Sequence, residues 1–205
     1  MSQLPNQHDS EILPEKIHPG MDEVFDRIAT GLYSLAAMLV GEGEESMGLV
    51  EAAVTNAETS ICLDPTQERK TSRRALVAAA LDLLAKRSSE SLAAPLGLTP
   101  ASICIEDDDL ASAGISSEEL EKMISGPERD LVRKWLAGLP EWMRTVFVLR
   151  AVAGFNTAET TGLLQTHGGP QAAAWTPETV REVFRQGLCS LASQLLQASA
   201  VKYSL

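Results

Sequence analysis

The stretch from Leu139 to Leu195 constrains this chain more than any bulk property, because it carries helix start signals at short intervals. Leu139-Pro140-Glu141 opens a helix: proline at the first helical position forfeits no bond, and an acid beside it suits the positive helix end. Val146, Phe147, Leu149 and Val152 follow as an apolar stripe at helical spacing, and Gly154 ends the run. Asn156, with Glu159 three residues on, reads as a capping pair for a short helix through Leu164. Thr176-Pro177-Glu178 is a further start signal, an N-cap followed by proline and an acid. Val180, Phe184, Leu188, Leu191 and Leu195 supply the buried face of the last helix. Two short helices ending in a capped one form the helix-turn-helix layout, whose last helix enters the major groove of DNA.

In the order Leu-Pro-Glu, Val-Phe-Val-Leu-Arg, a glycine turn, an Ala-Glu-bearing helix and then Thr-Val-Arg, the segment resembles region 4 of bacterial sigma factors. It looks most like the extracytoplasmic-function (ECF) group of the sigma-70 family. The resemblance implies that Leu139-Pro140-Glu141 opens a scaffold helix and that Thr179-Val180-Arg181 opens the helix reading the promoter −35 element. One departure stands out. The family joins the two helices of its motif by a few residues, whereas Gln165 to Trp175, QTHGGPQAAAW, intervenes here.

The formal charge of −11 argues against a nucleic-acid partner until its distribution is read. Residues 1–20 carry −2, residues 21–98 carry −5, residues 99–128 carry −7 and residues 129–205 carry +3. The excess therefore sits in one short middle segment, and the last module is mildly basic, as a phosphate-contacting module should be. Alanine and leucine dominate and aromatics make up only 4%, which favours helices over sheets. The predicted fold is all-α: two small helical modules joined by an acidic linker. The boundaries are a loose tail over 1–20, a first module over 21–97, a linker over 98–126 and a helix-turn-helix module over 127–205.

In the first module, Val24, Ile28, Leu32, Leu35, Ala36 and Leu39 repeat at helical spacing from Met21 to Val40. Gly41-Glu42-Gly43 makes a turn. A second helix runs from about Glu44 to about Ile61, Asp64-Pro65 breaks it, and a third runs from about Thr66 to Ser88. This arrangement resembles region 2 of an ECF sigma factor, whose second helix grips polymerase and whose basic third helix melts and reads the −10 element. The resemblance implies polymerase contacts at Leu49, Val50, Glu51 and Val54. It implies DNA contacts at Arg69, Lys70, Arg73, Arg74, Lys86 and Arg87, which face one acid, Asp82, in that stretch. A solvated helix face is the plain alternative. The family's Asp-Leu-Val-Gln-Glu pattern is here Gly48-Leu49-Val50-Glu51-Ala52, and small residues such as Leu76-Val77-Ala78-Ala79-Ala80 replace the aromatic that would stack on an unpaired base.

The linker holds Glu106-Asp107-Asp108-Asp109 and Ser116-Ser117-Glu118-Glu119, with a short helix expected near Ser117 to Met123. Its spacing lacks the pattern of a calcium loop. Leu131, Val132, Trp135 and Leu136 then form a stripe that should pack on Val146, Phe147 and the final helix. Cys62, Cys104 and Cys189 lie far apart without a CxxC, so buried thiols in a reducing cytoplasm are expected rather than a metal site. No run of about 18 apolar residues suggests a membrane span. The start lacks a signal pattern, which points to the cytoplasm.

For DNA contact the leading residues are Thr179, Arg181 and Arg185 on the exposed face of the last helix, with Glu178 either accepting from a cytosine or capping the helix. Ion pairing of the two arginines with Glu178 or Glu182 is the bland alternative. No Gly-rich phosphate loop, GxSxG, HExxH or His/Cys cluster supports an enzyme or a cofactor. The expected partners are core RNA polymerase, promoter DNA and an anti-sigma protein. A second reading is a degenerate sigma-fold regulator, a decoy or scaffold that binds proteins without opening promoters.

Overall fold

A computed structural model describes residues 19–56, 65–88, 92–95 and 129–202, with side chains over 29–55, 70–88, 92–95 and 130–194. Every regular element among them is helical: α1 (Pro19–Val40), α2 (Glu44–Asn56), α3 (Pro65–Arg87), α4 (Arg129–Gly138), α5 (Glu141–Phe147), α6 (Thr157–His167) and α7 (Pro177–Lys202). A π turn, Val148–Val152, extends α5, and a 3-10 turn, Pro170–Ala174, follows α6. The all-α class read from composition is therefore the class observed. The linker, the short helix expected near Ser117 to Met123, and the side chains of Val24, Ile28 and Leu195 lie outside the described residues.

Helices α1 to α3 pack through short aliphatic side chains. Leu32, Leu35, Ala36 and Leu39 of α1 meet Leu49 and Ala53 of α2, and Leu76, Val77, Ala80, Leu81 and Leu84 of α3, all buried. Small residues let helix axes approach, and the contact relies on area rather than on ring geometry. Polar contacts close the end of α1. Both terminal nitrogens of Arg87 donate to the Val40 carbonyl at 3.3 Å, and the same guanidinium pairs with Glu45. Ser46 Oγ donates to the Gly41 carbonyl. These bonds satisfy carbonyls that a helix end leaves without an intrahelical partner.

Helices α4 to α7 pack around aromatic rings. Trp135 of α4 meets Phe147 of α5 edge-on, with centroids 4.9 Å apart and planes at 81°. Phe147 leans on Phe184 of α7 at 5.7 Å. The Trp135 indole N–H donates to Ser190 Oγ at 2.9 Å, so the buried ring's polar tip is satisfied. Phe147 presses so closely on α7 that a Cβ at Gly187 would lie 2.9 Å from its Cδ2. Glycine is what lets the ring approach this part of the helix.

Two boundaries differ from the sequence reading. The stripe from Val146 to Val152 is not one α-helix. The Ala153 N–H reaches back five residues to the Val148 carbonyl at 2.9 Å, and the Phe155 N–H reaches Leu149 at 3.1 Å. This wider turn brings Arg150 over the Phe184 ring, 5.0 Å from its centroid, while Arg150 Nη1 donates to the Phe155 carbonyl at 2.9 Å. Helix α6 continues past Leu164 to His167, because nothing in Gln165-Thr166-His167 breaks a helix and the Gly168 N–H still donates to Leu164 at 2.8 Å.

Buried residues of α1–α3 and of α4–α7 form one contiguous cluster. Helix α3 lies along α6, and α1 touches α4 and the π turn. Cys189 is disulfide-bonded, which overturns the expectation of a free thiol there. The other two cysteines, Cys62 and Cys104, lie outside the described residues.

Candidate nucleic-acid interface

The geometry of the capped helix pair follows from its start signals. Asn156 Oδ1 accepts from the Glu159 N–H at 2.9 Å, and Glu159 Oε2 accepts from the Asn156 N–H at 2.9 Å, so the expected capping box closes in both directions. Thr176 Oγ1 accepts from the Thr179 N–H at 3.1 Å and meets the Thr179 hydroxyl at 2.9 Å. That threonine caps α7, and Pro177 occupies the first helical position. Val180, Val183, Phe184 and Leu188 turn inward. Glu178 and Arg181 are therefore left facing solvent, with Thr179, Glu182 and Arg185 partly covered.

The charges on that face are balanced. Arg181 Nη2 lies 3.4 Å from Glu178 Oε1, and Arg185 Nη1 lies 3.3 Å from Glu182 Oε2. Gln186 Nε2 also donates to Glu182 at 3.2 Å. The Arg181–Glu178 pair is exposed, and such pairs are weak and exchange readily for other acceptors, whereas the Arg185–Glu182 pair is partly covered. A phosphate can take the Arg181 guanidinium without a large loss from the protein side.

The described cations of helix α3 have different surroundings. Lys70 Nζ pairs with Glu159 Oε1 of α6 at 2.7 Å. Arg73 Nη1 donates to the Val152 carbonyl at 3.3 Å. Arg87 is engaged by Val40 and Glu45 at the end of α1. Arg74 and Lys86 are exposed, and the Arg69 side chain lies outside the described residues. Of the DNA contacts expected on α3, Arg73 and Arg87 have backbone carbonyls of this chain as acceptors, and Arg87 stays exposed. Glu159 sits between the cap and Lys70. The hydrogen bond from Lys70 holds its carboxyl below the usual carboxylate value, the Asn156 N–H lowers it further, and the charges of Lys70 and Arg74 add to this against an opposing effect of burial.

On α2 the outward row differs from the one expected. Leu49 is 7% exposed and belongs to the core, so its assignment to a docking surface is corrected. Met47 and Val54 are 52% and 49% exposed, with Glu51 exposed and Val50 half-buried between them. Met47 was missed in the sequence, although the spacing Met47, Val50, Glu51, Val54 marks one helix face.

Among the described residues no group of His, Cys, Asp or Glu is arranged to hold a metal ion. None of their helices is long and apolar enough to cross a membrane. Compared with known proteins, the chain matches no family model, no curated protein and no solved structure.

Proposed function

We propose that this chain is a divergent sigma-like transcription regulator of the ECF type, which joins core RNA polymerase and directs it to promoter DNA. The observation that carries the reading is the doubly capped pair α6 and α7, with Thr179 and solvent-facing Arg181 in the first turns of α7 and partly covered Arg185 one turn on. In a helix-turn-helix the N-terminal residues of the second helix meet base edges and phosphates. Arg181 and Arg185 are one turn apart, which suits neighbouring phosphates or a guanine edge. Catalysis of RNA synthesis belongs to polymerase, and the chain supplies recognition alone. The exposed row of Met47, Val50, Glu51 and Val54 is the proposed polymerase contact, with apolar area at its centre and a charge at its side.

A second reading is favoured by the neutral α7 face and by the intramolecular duties of Lys70, Arg73 and Arg87. In it the chain keeps the protein contact and lacks promoter opening, acting as a decoy or scaffold for polymerase or an anti-sigma partner.

Co-purification with core RNA polymerase tests the shared step. Met47→Asp and Val54→Asp are the variants of choice, because both positions are exposed. A stable wild-type complex that both variants lose is the expected result; no complex at micromolar concentration sinks both polymerase readings. Promoter binding at low and high salt then separates them, since sequence-specific binding with a steep salt slope belongs to the first alone.

A further inference from the structure

We infer that the cleft between α1 and α4 is a binding site for a short aliphatic carboxylate, whose chain lies on the apolar walls and whose head group takes Arg133 and Arg144. The cleft has a volume of about 220 Å³, and its apolar walls are Ala37 and Met38 of α1 and Leu136 and Ala137 of α4. Arg133 of α4 and Arg144 of α5 also line it, with Glu42 in the turn after α1. This site involves neither the start of α7 nor the exposed face of α2, and it stands or falls independently of the DNA and polymerase readings.

Size and wall chemistry select the ligand. A drug-sized site has roughly 300–1,000 Å³, so this cleft suits a smaller molecule. At roughly 30 Å³ for each water-sized group, it holds about seven or eight of them. The walls offer methyl, thioether and isobutyl groups, which match a flexible hydrocarbon chain by dispersion contact.

The polar demand of the cleft is for an acceptor, because arginine carries donors only. Arg144 Nη2 lies 3.3 Å from Glu141 Oε1, while Arg144 Nε is buried without a hydrogen-bond partner. Buried donors are ordinarily satisfied, so an unmet one on a residue lining a cleft points to an acceptor from outside the chain. Arg133 Nη1 pairs with Glu42 Oε1 at 2.9 Å, but the two side chains are 42% and 65% exposed, and so open a pair exchanges readily. A ligand carboxylate can therefore replace Glu42 on Arg133 and supply the acceptor that Arg144 lacks, with the geometry that guanidinium groups favour. The carbonyls at the end of α1, which would draw an amine instead, already accept bonds. Ala37 accepts from the Gly41 N–H at 3.0 Å, and Gly41 accepts from Ser46 Oγ.

Hexanoate is the probe, titrated into the full chain and read on the Met38 methyl and Arg144 Nε–H resonances. Both should shift saturably. Hexan-1-ol, which keeps the chain and loses the charge, should bind roughly tenfold more weakly. Acetate, which keeps the charge and loses the chain, should also bind more weakly. Arg133→Gln, at an exposed position, should weaken hexanoate roughly tenfold. Glu42→Gln removes the competing carboxylate and should tighten hexanoate roughly two- to fivefold. Ala137→Leu adds bulk on an exposed wall, fills the cleft and should abolish the shifts. No saturable shift of the wild type with hexanoate overturns the site. Equal binding of hexanoate and hexan-1-ol overturns the carboxylate, and equal binding of acetate overturns the chain-binding wall. Unchanged hexanoate binding by a folded Ala137→Leu protein puts the ligand elsewhere and overturns the site as well.

Discussion

The α4–α7 group and the α1–α3 group are held together by different means. The first turns on three interlocked rings, Trp135, Phe147 and Phe184, whose edge-on and tilted contacts allow few alternative packings. The second packs leucine and alanine, with Arg87 and Ser46 closing its ends. Ring contacts fix a unique arrangement, whereas short aliphatic surfaces tolerate sliding and repacking. The group with the more rigid core is the one that presents α7. The group with the more adaptable core is the one whose third helix packs along α6.

The comparison breaks if the two cores respond alike to truncation. Phe147→Ala should cost about 3–5 kcal/mol, since it removes a fully buried ring that contacts two others. Leu81→Ala in α3 should fall near the lower end of about 2–5 kcal/mol, because neighbouring Ala80 leaves room for the helices to settle. Urea unfolding of the two variants decides it. Equal losses would mean that the ring cluster adds nothing beyond its area.

The corrected face of α2 gives the next contrast. Leu49→Asp should cost about 3 kcal/mol or more, because it removes a core side chain and buries a charge without a partner. Met47→Asp, on the exposed side, should stay within about 0.5 kcal/mol of wild type. Thermal melts measure both. A stable Leu49→Asp protein would return Leu49 to the docking surface.

Glycines sharpen the contrast at smaller scale. A Cβ at Gly48 in α2 meets nothing within 4 Å, so Gly48→Ala should stabilise by about 0.5–1 kcal/mol through helix propensity alone. The same change at Gly187 meets Phe147 at 2.9 Å and should instead destabilise by about 1 kcal/mol, crowding outweighing propensity. Opposite signs in denaturant midpoints would show that α7 is packed to contact where α2 is not.

The same division explains what could be read from the sequence. The capping box at Asn156 and Glu159 and the cap at Thr176 are local, spanning three residues each, so their signals sit side by side in the chain. The inward register of α2 is not local. Ser46, Leu49 and Ala53 form one helical stripe and Met47, Val50 and Val54 another; both contain apolar residues, so periodicity alone cannot choose the buried one. The partners of Arg73 and Arg87 lie 79 and 47 residues away, and nothing near either arginine announces them. The contact of Gly169 with Ala85 depends on α3 and α6 already lying together. The π turn was hidden because its apolar stripe also fits an α-helix.

The smallest effect tests the bond that joins the two groups most directly. Glu159 caps α6 and pairs with Lys70, and the hydrogen bond from Lys70 is the main reason its carboxyl titrates below the usual carboxylate value. A carboxyl depressed in the folded state stabilises the fold above its unfolded value of about 4.3, and that stability is lost as pH falls through the lower folded value. Glutamine preserves the capping box, since its amide oxygen accepts the same Asn156 N–H. Glu159→Gln should therefore lose under about 1 kcal/mol at pH 7, Lys70 being half exposed. The difference from wild type should shrink below about pH 4. Melts of both proteins from pH 7 to pH 3 follow it. A difference that stays constant into acid would remove the charge of Glu159 from the contact between α3 and α6, leaving the cap as its whole contribution.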